Sequence, residues 1–256
     1  MKSFFSNFRS GILTIALAAT AATVFVSCSK NNDGDGQTQP AAGLMAFNLA
    51  PDQPALVFTL NGNSLTNFPL PYTNFTGGYL PVFPGSRTLD VYASGSPSSQ
   101  PLASATAALE VEKYYSAFTI GAGTKYRNVI VHDNFDSLTA NGSAYIRFVN
   151  AIIDSTQLPS VVIKANGTDV VNRQAAPYAS VSDFVAVTPG SVSIDVNSSG
   201  GVDADRTLTV EQNKVYTILL TGLPGTTAAG EMIKFITNGT VTDDQARGGA
   251  SRRAAN

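Results

Sequence analysis

Cys28 and His132 each occur once in the 256-residue chain, and both are residue types that do chemistry. A thiol is a nucleophile once deprotonated, and an imidazole is the ordinary general base. One histidine completes a Ser-His-Asp triad on paper, but no G-x-S-x-G elbow is present to offer a serine. Zinc wants three or four His, Cys or carboxylate ligands, and one histidine among scattered acids does not supply them. Asp203 and Asp205 lie in a stretch, 200–206, that reads as a loop. They would either contribute oxygens to a Ca²⁺ ion or solvate a hairpin tip beside Arg206. Asp33-Gly34-Asp35-Gly36 begins like a calcium loop but lacks its later carboxylate, so it reads as linker. His132 is placed at the end of a strand as a polar edge residue. The expectation is therefore a non-enzymatic protein without metal or cofactor.

The cysteine has a different use. Lys2 and Arg9 form a short positive segment, and 11–26 is an uncharged run of 16 residues. That is short of the roughly 20 needed to span a bilayer and suits a signal-peptide core. The run ends at Phe25-Val26-Ser27-Cys28, which resembles a lipobox, where a peptidase cuts after a small residue and before a lipid-bearing cysteine. Residues 1–27 are thus expected to be a removable lipoprotein signal peptide. Residues 28–42 are expected to be the lipidated Cys28 and a flexible linker. The partner is then the membrane, and the address the cell envelope, most simply the outer membrane, with its face left open. Losing Lys2 and Arg9 takes the net charge from −2 to −4, which argues against nucleic acid as a partner.

The remaining chain repeats itself. Asn61-Gly62 recurs as Asn166-Gly167, Pro71-Tyr72 as Pro177-Tyr178, and Pro84-Gly85 as Pro189-Gly190. Leu89-Asp90-Val91 matches Ile194-Asp195-Val196, which makes Asp90 and Asp195 equivalent outward positions. Val111-Glu112 matches Val210-Glu211, ahead of Tyr115 and Tyr216. Ordered anchors at a near-constant offset indicate a tandem duplication, with module one at 43–137, module two at 143–243 and a disordered basic tail at 244–256. Val192, Ile194 and Val196 alternate with polar residues as in a half-buried strand. In module two, strands are predicted at 144–150, 160–165, 182–187, 192–196, 206–210, 215–220 and 232–237. Asn166-Gly167 suits a hairpin turn. Low charge and plentiful turn formers fit an all-β protein of two sandwiches.

Module two opens with Ala144-Tyr145-Ile146-Arg147-Phe148-Val149-Asn150-Ala151. An Asn-Gly hairpin, the Tyr178 segment, Val187-Thr188-Pro189-Gly190 and the 208–216 segment follow in order. Together these resemble the bacterial domain-of-unknown-function family numbered four-three-nine-seven, over most of module two and more loosely over module one. There Leu44-Met45-Ala46-Phe47-Asn48-Leu49-Ala50 replaces the Arg-containing opening. The resemblance implies two tandem immunoglobulin-like β-sandwich modules and brings no functional residue with it.

Recognition is expected at aromatics. Residues 68–79 hold four of them among Thr, Asn and Gly, the mixture that stacks on and hydrogen-bonds sugars. The counterpart keeps Tyr178 and Phe184, matching Tyr72 and Tyr79, which marks those positions as core. Phe68 and Phe75 remain as candidate ligand-binding aromatics, with packing between modules as the competing use. Asp136-Ser137-Leu138 and Asp154-Ser155-Thr156 resemble an O-glycosylation acceptor pattern. The functional expectation is a lipid-anchored envelope protein for binding, adhesion or spacing, with glycan or an envelope or host protein as partner. The alternative is an accessory carbohydrate-active or hydrolytic protein using carboxylates at the module interface.

Overall fold

The computed structural model describes residues 40–95, 100–153, 157–224, 230 and 232–242. The signal peptide, Cys28, most of the linker, the second Asp-Ser site and the basic tail lie outside them. All described residues belong to one compact unit.

Module one contains β1 (Ala42–Leu49), β2 (Ala55–Leu60), β3 (Asn63–Ser64), β4 (Leu70–Pro71), β5 (Leu80–Val82), β6 (Gly85–Ala93), β7 (Ala103–Leu109), β8 (Tyr114–Ile120) and β9 (Arg127–His132). A 3₁₀ turn at Phe135–Ser137 leads to module two. There follow β10 (Ala144–Ile152), β11 (Ser160–Ala165), β12 (Thr168–Arg173), β13 (Val185–Val187), β14 (Gly190–Asn197), β15 (Asp203–Val210), β16 (Lys214–Gly222) and β17 (Met232–Thr240).

The described fold is all-β, and the two modules share one plan. One sheet runs β5-β1-β8-β9 in module one and β13-β10-β16-β17 in module two. The other runs β3-β2-β6-β7, with β4 also on β2, and β12-β11-β14-β15. In each module the first strand lies parallel to the penultimate one: Leu44 beside Tyr115, Ile146 beside Tyr216. Every other strand pairing is antiparallel. The expected strands of module two are present. The hairpin's return strand, β12, is an eighth, since the turn at Asn166-Gly167 places it on β11.

The alternating side chains of β14 do what period two requires. Val192, Ile194 and Val196 are buried between the sheets while Asp195 faces out. Strands β1, β8, β10 and β16 are buried on both faces. Leu44 and Ala46 enter the core of module one, and Met45, Phe47 and Leu49 point the other way into a third core shared with module two. Near-continuous apolar sequence in these strands is the signature of burial on both faces.

The strand pairings also refine the internal repeat. Asn61 and Asn166 each accept from the strand on the other edge of β2 and β11, at Thr88 N of β6 and Ser191 N of β14. Leu60 pairs with Leu89 and Ala165 with Val192. Leu89-Asp90-Val91 therefore corresponds to Val192-Ser193-Ile194, two residues earlier than the sequence match, so Asp90 and Asp195 are not equivalent. Gly85 still matches Gly190, because they pair with Leu109 and Val210. Module one thus carries two extra residues, Ser86-Arg87, at the start of β6. The hydroxyls of Tyr115 and Tyr216 accept from Glu110 N and Glu211 N, which moves the match for Val210-Glu211 to Leu109-Glu110.

Candidate functional site

The inner sheets of the two modules face each other across the third core. Module one contributes Met45, Phe47, Leu49, Phe118 and Ile120, and module two contributes Val149, Ala151, Leu219 and Ile236. Phe47 stacks on Phe118 at 4.7 Å and on Phe75 at 5.5 Å. Removing these side chains from water supplies about 1.5–3 kcal/mol for each large one.

A charge pair is set into this apolar seam. Arg147 of β10 projects from the same face as Val149 and Ala151, and its NH1 lies 2.6 Å from Asp133 Oδ1, with both side chains almost wholly buried. Asp133 directly follows β9, which aims it toward the seam like Val129 and Val131. Its Oδ2 accepts from Ser116 Oγ at 2.6 Å and from Tyr79 OH at 2.5 Å. Arg147 NH2 donates to Ser116 Oγ at 3.0 Å, and Nε donates to Thr217 Oγ1 at 3.0 Å. Thr217 donates onward to Asn238 Oδ1 at 2.6 Å, and Asn238 Nδ2 returns a bond to Tyr79 OH at 3.2 Å. The polar groups close into a ring. A bulge in β17 leaves Asn238 out of the pairing between Gly239 and Thr237 and turns it into that ring. The Arg147 guanidinium sits 4.4 Å from the centre of the Phe184 ring. Burial, reinforced by the adjacent Asp133 charge, holds the Tyr79 hydroxyl far above the usual tyrosine range, so it stays a donor.

Around this ring lie further bridges between modules. The Tyr72 and Thr221 hydroxyls share a bond of 3.2 Å, and Thr221 also donates to Leu49 O. Lys234 Nζ donates to Thr73 Oγ1. Arg127 lies 4.8 Å over the Tyr178 ring and donates to its carbonyl.

A second feature is a groove of about 420 Å³ at one end of module one, bordered by Leu60, Leu65, Leu80, Val82, Phe83 and Arg87. Its cause is the two-residue extension of β6. In module two, the Asn166 amide packs against Gly190, where an added Cβ would lie 2.6 Å from Oδ1. In module one, nothing lies within 4 Å of the same position on Gly85. Arg87 donates from Nε to Phe83 O at 2.9 Å and from NH2 to Pro84 O at 2.8 Å, which fixes the turn and leaves Phe83 64% exposed.

Of the two aromatics nominated from sequence, Phe75 is half-buried against Phe47 in the seam, and Phe68 is 79% exposed. Tyr72 and Tyr79, marked as core, serve the module interface. His132 is exposed at the end of β9, tilted against Tyr115. Asp203 and Asp205 lie on β15 rather than in a loop, opposite Asn197 and Asp195. Among the described residues Asp133 is the one buried carboxylate, and Arg147 neutralises it. Sequence reading passed over that pair. The available signal was an arginine among Tyr145, Val149 and Ala151 on one strand face. Only the packing of the modules names its partner.

A family model described as "Domain of unknown function (DUF4397)" matches residues 42–158, which is module one and the opening of module two. The fuller likeness thus falls on module one, where the sequence reading placed it on module two. No curated protein matches the chain. Among solved structures, a "putative cell adhesion protein" from Bacteroides uniformis is similar at 9% identity and TM-score 0.25, covering 79% of this chain and 99% of that one. One with the same description from Bacteroides ovatus is similar at 12% identity and TM-score 0.25, covering 80% and 98%.

Proposed function

We propose that the protein is a lipid-anchored envelope protein in which a duplicated β-sandwich acts as one rigid, non-catalytic body for binding, adhesion or spacing. The observation that carries this reading is the seam between the modules. A shared apolar core and a closed ring around Arg147 and Asp133 hold the sandwiches in one arrangement. Two modules on a hinge would each keep a polar face toward the other; here both faces are committed to packing. The common strand order supports duplication of one module, and the sequence around Cys28 supports the lipid anchor. Recognition then falls to surfaces outside the seam, of which exposed Phe68 is the candidate for glycan or protein. The hydrolytic alternative needs two acids converging between the modules, and the buried carboxylate there is already salt-bridged.

The test is a tagged copy expressed in cells fed a radiolabelled fatty acid, with protease added to intact and to lysed cells. The expected result is label on the wild type and none on Cys28→Ala. Digestion of intact cells would assign the body to the cell surface, and protection until lysis would assign it to the periplasm. An unlabelled wild type would end the anchor reading.

A further inference from the structure

Five large hydrophobic side chains are exposed among the described residues: Phe68, Phe83, Val111, Tyr114 and Leu158. Phe83 and Val111 flank the point where the chain enters the fold. Phe83 directly follows Val82, which pairs with Ala42 on one side of β1. Val111 directly precedes Glu112, whose N–H donates to Ala41 O on the other side at 2.8 Å. Two strand spacings separate the flanks, so the two residues stand about 10 Å apart across the entering strand.

The repeat supplies an internal control. Phe83 corresponds to Thr188, each two residues before the matched Gly85 and Gly190. Val111 corresponds to Gln212, between the matched Glu110 and Glu211 on one side and Glu112 and Asn213 on the other. The last two share a left-handed backbone at φ 61° and 59°. Thr188 and Gln212 are exposed like their counterparts. At the same places on the same scaffold, module one therefore shows apolar side chains to solvent and module two shows polar ones. Burial in the fold does not account for the apolar pair, since neither is buried.

We propose that this end of module one rests on the lipid headgroup region of the bilayer, with Phe83 and Val111 inserted at its apolar boundary. The proposal deepens the anchor reading and rests on it. Eleven residues lie between Cys28 and Pro40, and the twelve steps along the chain reach at most about 40 Å. A lipid on Cys28 therefore tethers the fold by its entry end. Arg87 stands 5.9 Å from the Phe83 ring, the pairing of a cation with an apolar body that suits a phosphate-rich boundary. Two modest apolar contacts add little affinity alone. With the lipid holding the surface close, they set orientation: an upright body would project module two's polar end alongside and leave the opposite loops free for a partner.

The chain contains no tryptophan, so one introduced at a chosen position reports alone. The proteins begin at Cys28, retain the whole compact unit, and carry Phe83→Trp, Val111→Trp or, as control, Thr188→Trp. Each is held through an N-terminal hexahistidine on phosphatidylethanolamine and phosphatidylglycerol vesicles containing a nickel-chelating lipid, which removes any dependence on acylation of Cys28. Brominated acyl chains are expected to quench Phe83→Trp and Val111→Trp about twofold, as for groups seated some ångströms below the headgroups, and to leave Thr188→Trp unchanged. Absence of quenching at positions 83 and 111, or equal quenching at all three, overturns the proposal. Failure of fatty-acid labelling in cells instead overturns the anchor reading, and the tethered measurement separates the two.

Discussion

The two modules meet through the same face of each, yet the chemistry on that face differs. The parallel strand pairings set Met45 where module two has Arg147, and Ser116 where it has Thr217. Asp133, which follows β9 after His132, stands where the β17 bulge has Asn238 after Thr237. Tyr79 corresponds to Phe184. A symmetric pair of such modules would bring two arginines to two aspartates. This chain retains one arginine on module two and one aspartate on module one, with Met45 and Asn238 at the related positions. Each sandwich thereby has a single partner of the right polarity. A buried ion pair is weak evidence for stability but a good device for fixing one arrangement, because any alternative strands a charge.

The largest effect should come from breaking that pair on one side. Arg147→Ala or Asp133→Ala leaves the other charge buried and unpaired, at a cost of about 3–5 kcal/mol. The denaturant midpoint should fall accordingly. The double variant Arg147→Met with Asp133→Asn copies the identities of Met45 and Asn238 and should recover most of the loss. If the double variant is as unstable as the sum of the single ones, the ring is not the coupled unit described.

The next comparison concerns the two ends. Gly85 and Gly190 both hold positive φ, at 100° and 132°, where an L side chain is strained. Alanine at either should cost about 1–3 kcal/mol from backbone strain. Gly190→Ala should cost more, because its Cβ meets the Asn166 amide while the space around Gly85 is open. Paired thermal melts check this. Equal losses would mean the two-residue extension of β6 does not open the groove.

These contrasts mark what the sequence could reveal. Alternation in β14 and the Asn166-Gly167 turn made the sandwich legible, because each depends on neighbours along the chain. The strand plan common to the modules was legible in outline, but the match between them slipped by two residues at Leu89-Asp90-Val91, since Asp195 offered a closer sequence match than the residue at the same pairing position, Ser193. Strand pairing, which sequence matching does not contain, decides that register. Phe75 illustrates the same limit at the site. An aromatic among polar residues reads equally as a ligand platform or as packing, and only the apposition of a second module against Phe47 distinguishes them. Arg147 and Asp133 lie in different modules, so no local pattern connects them.

A smaller effect separates Tyr79 from its counterpart Phe184 through pH. Burial and the neighbouring Asp133 raise the Tyr79 hydroxyl above its unfolded value of 10.0. In alkali the unfolded chain then loses a proton that the folded chain keeps, so this contribution is complete below pH 10 and declines above it. Tyr79→Phe should cost about 1.5–3 kcal/mol near neutrality, the worth of a hydrogen bond to a charged group. It should also flatten part of the loss of stability above pH 10. Parallel alkaline slopes for the two proteins would place the titrating group elsewhere.

Phe68 should show the smallest effect, and it closes the comparison between the two aromatics singled out by the sequence. Phe75 is stacked in the seam, so Phe75→Ala should lower the melting temperature through lost packing and the aromatic contact, itself worth about 0.5–1.5 kcal/mol. Phe68 is 79% exposed, and Phe68→Ala should shift stability by no more than about 0.5 kcal/mol. A variant that melts like the wild type can be assayed for binding without correction for unfolding. Any loss of glycan or protein capture by Phe68→Ala then reports a contact at that ring, whereas a lowered melting temperature would show that the loop around Phe68 is packed against the fold.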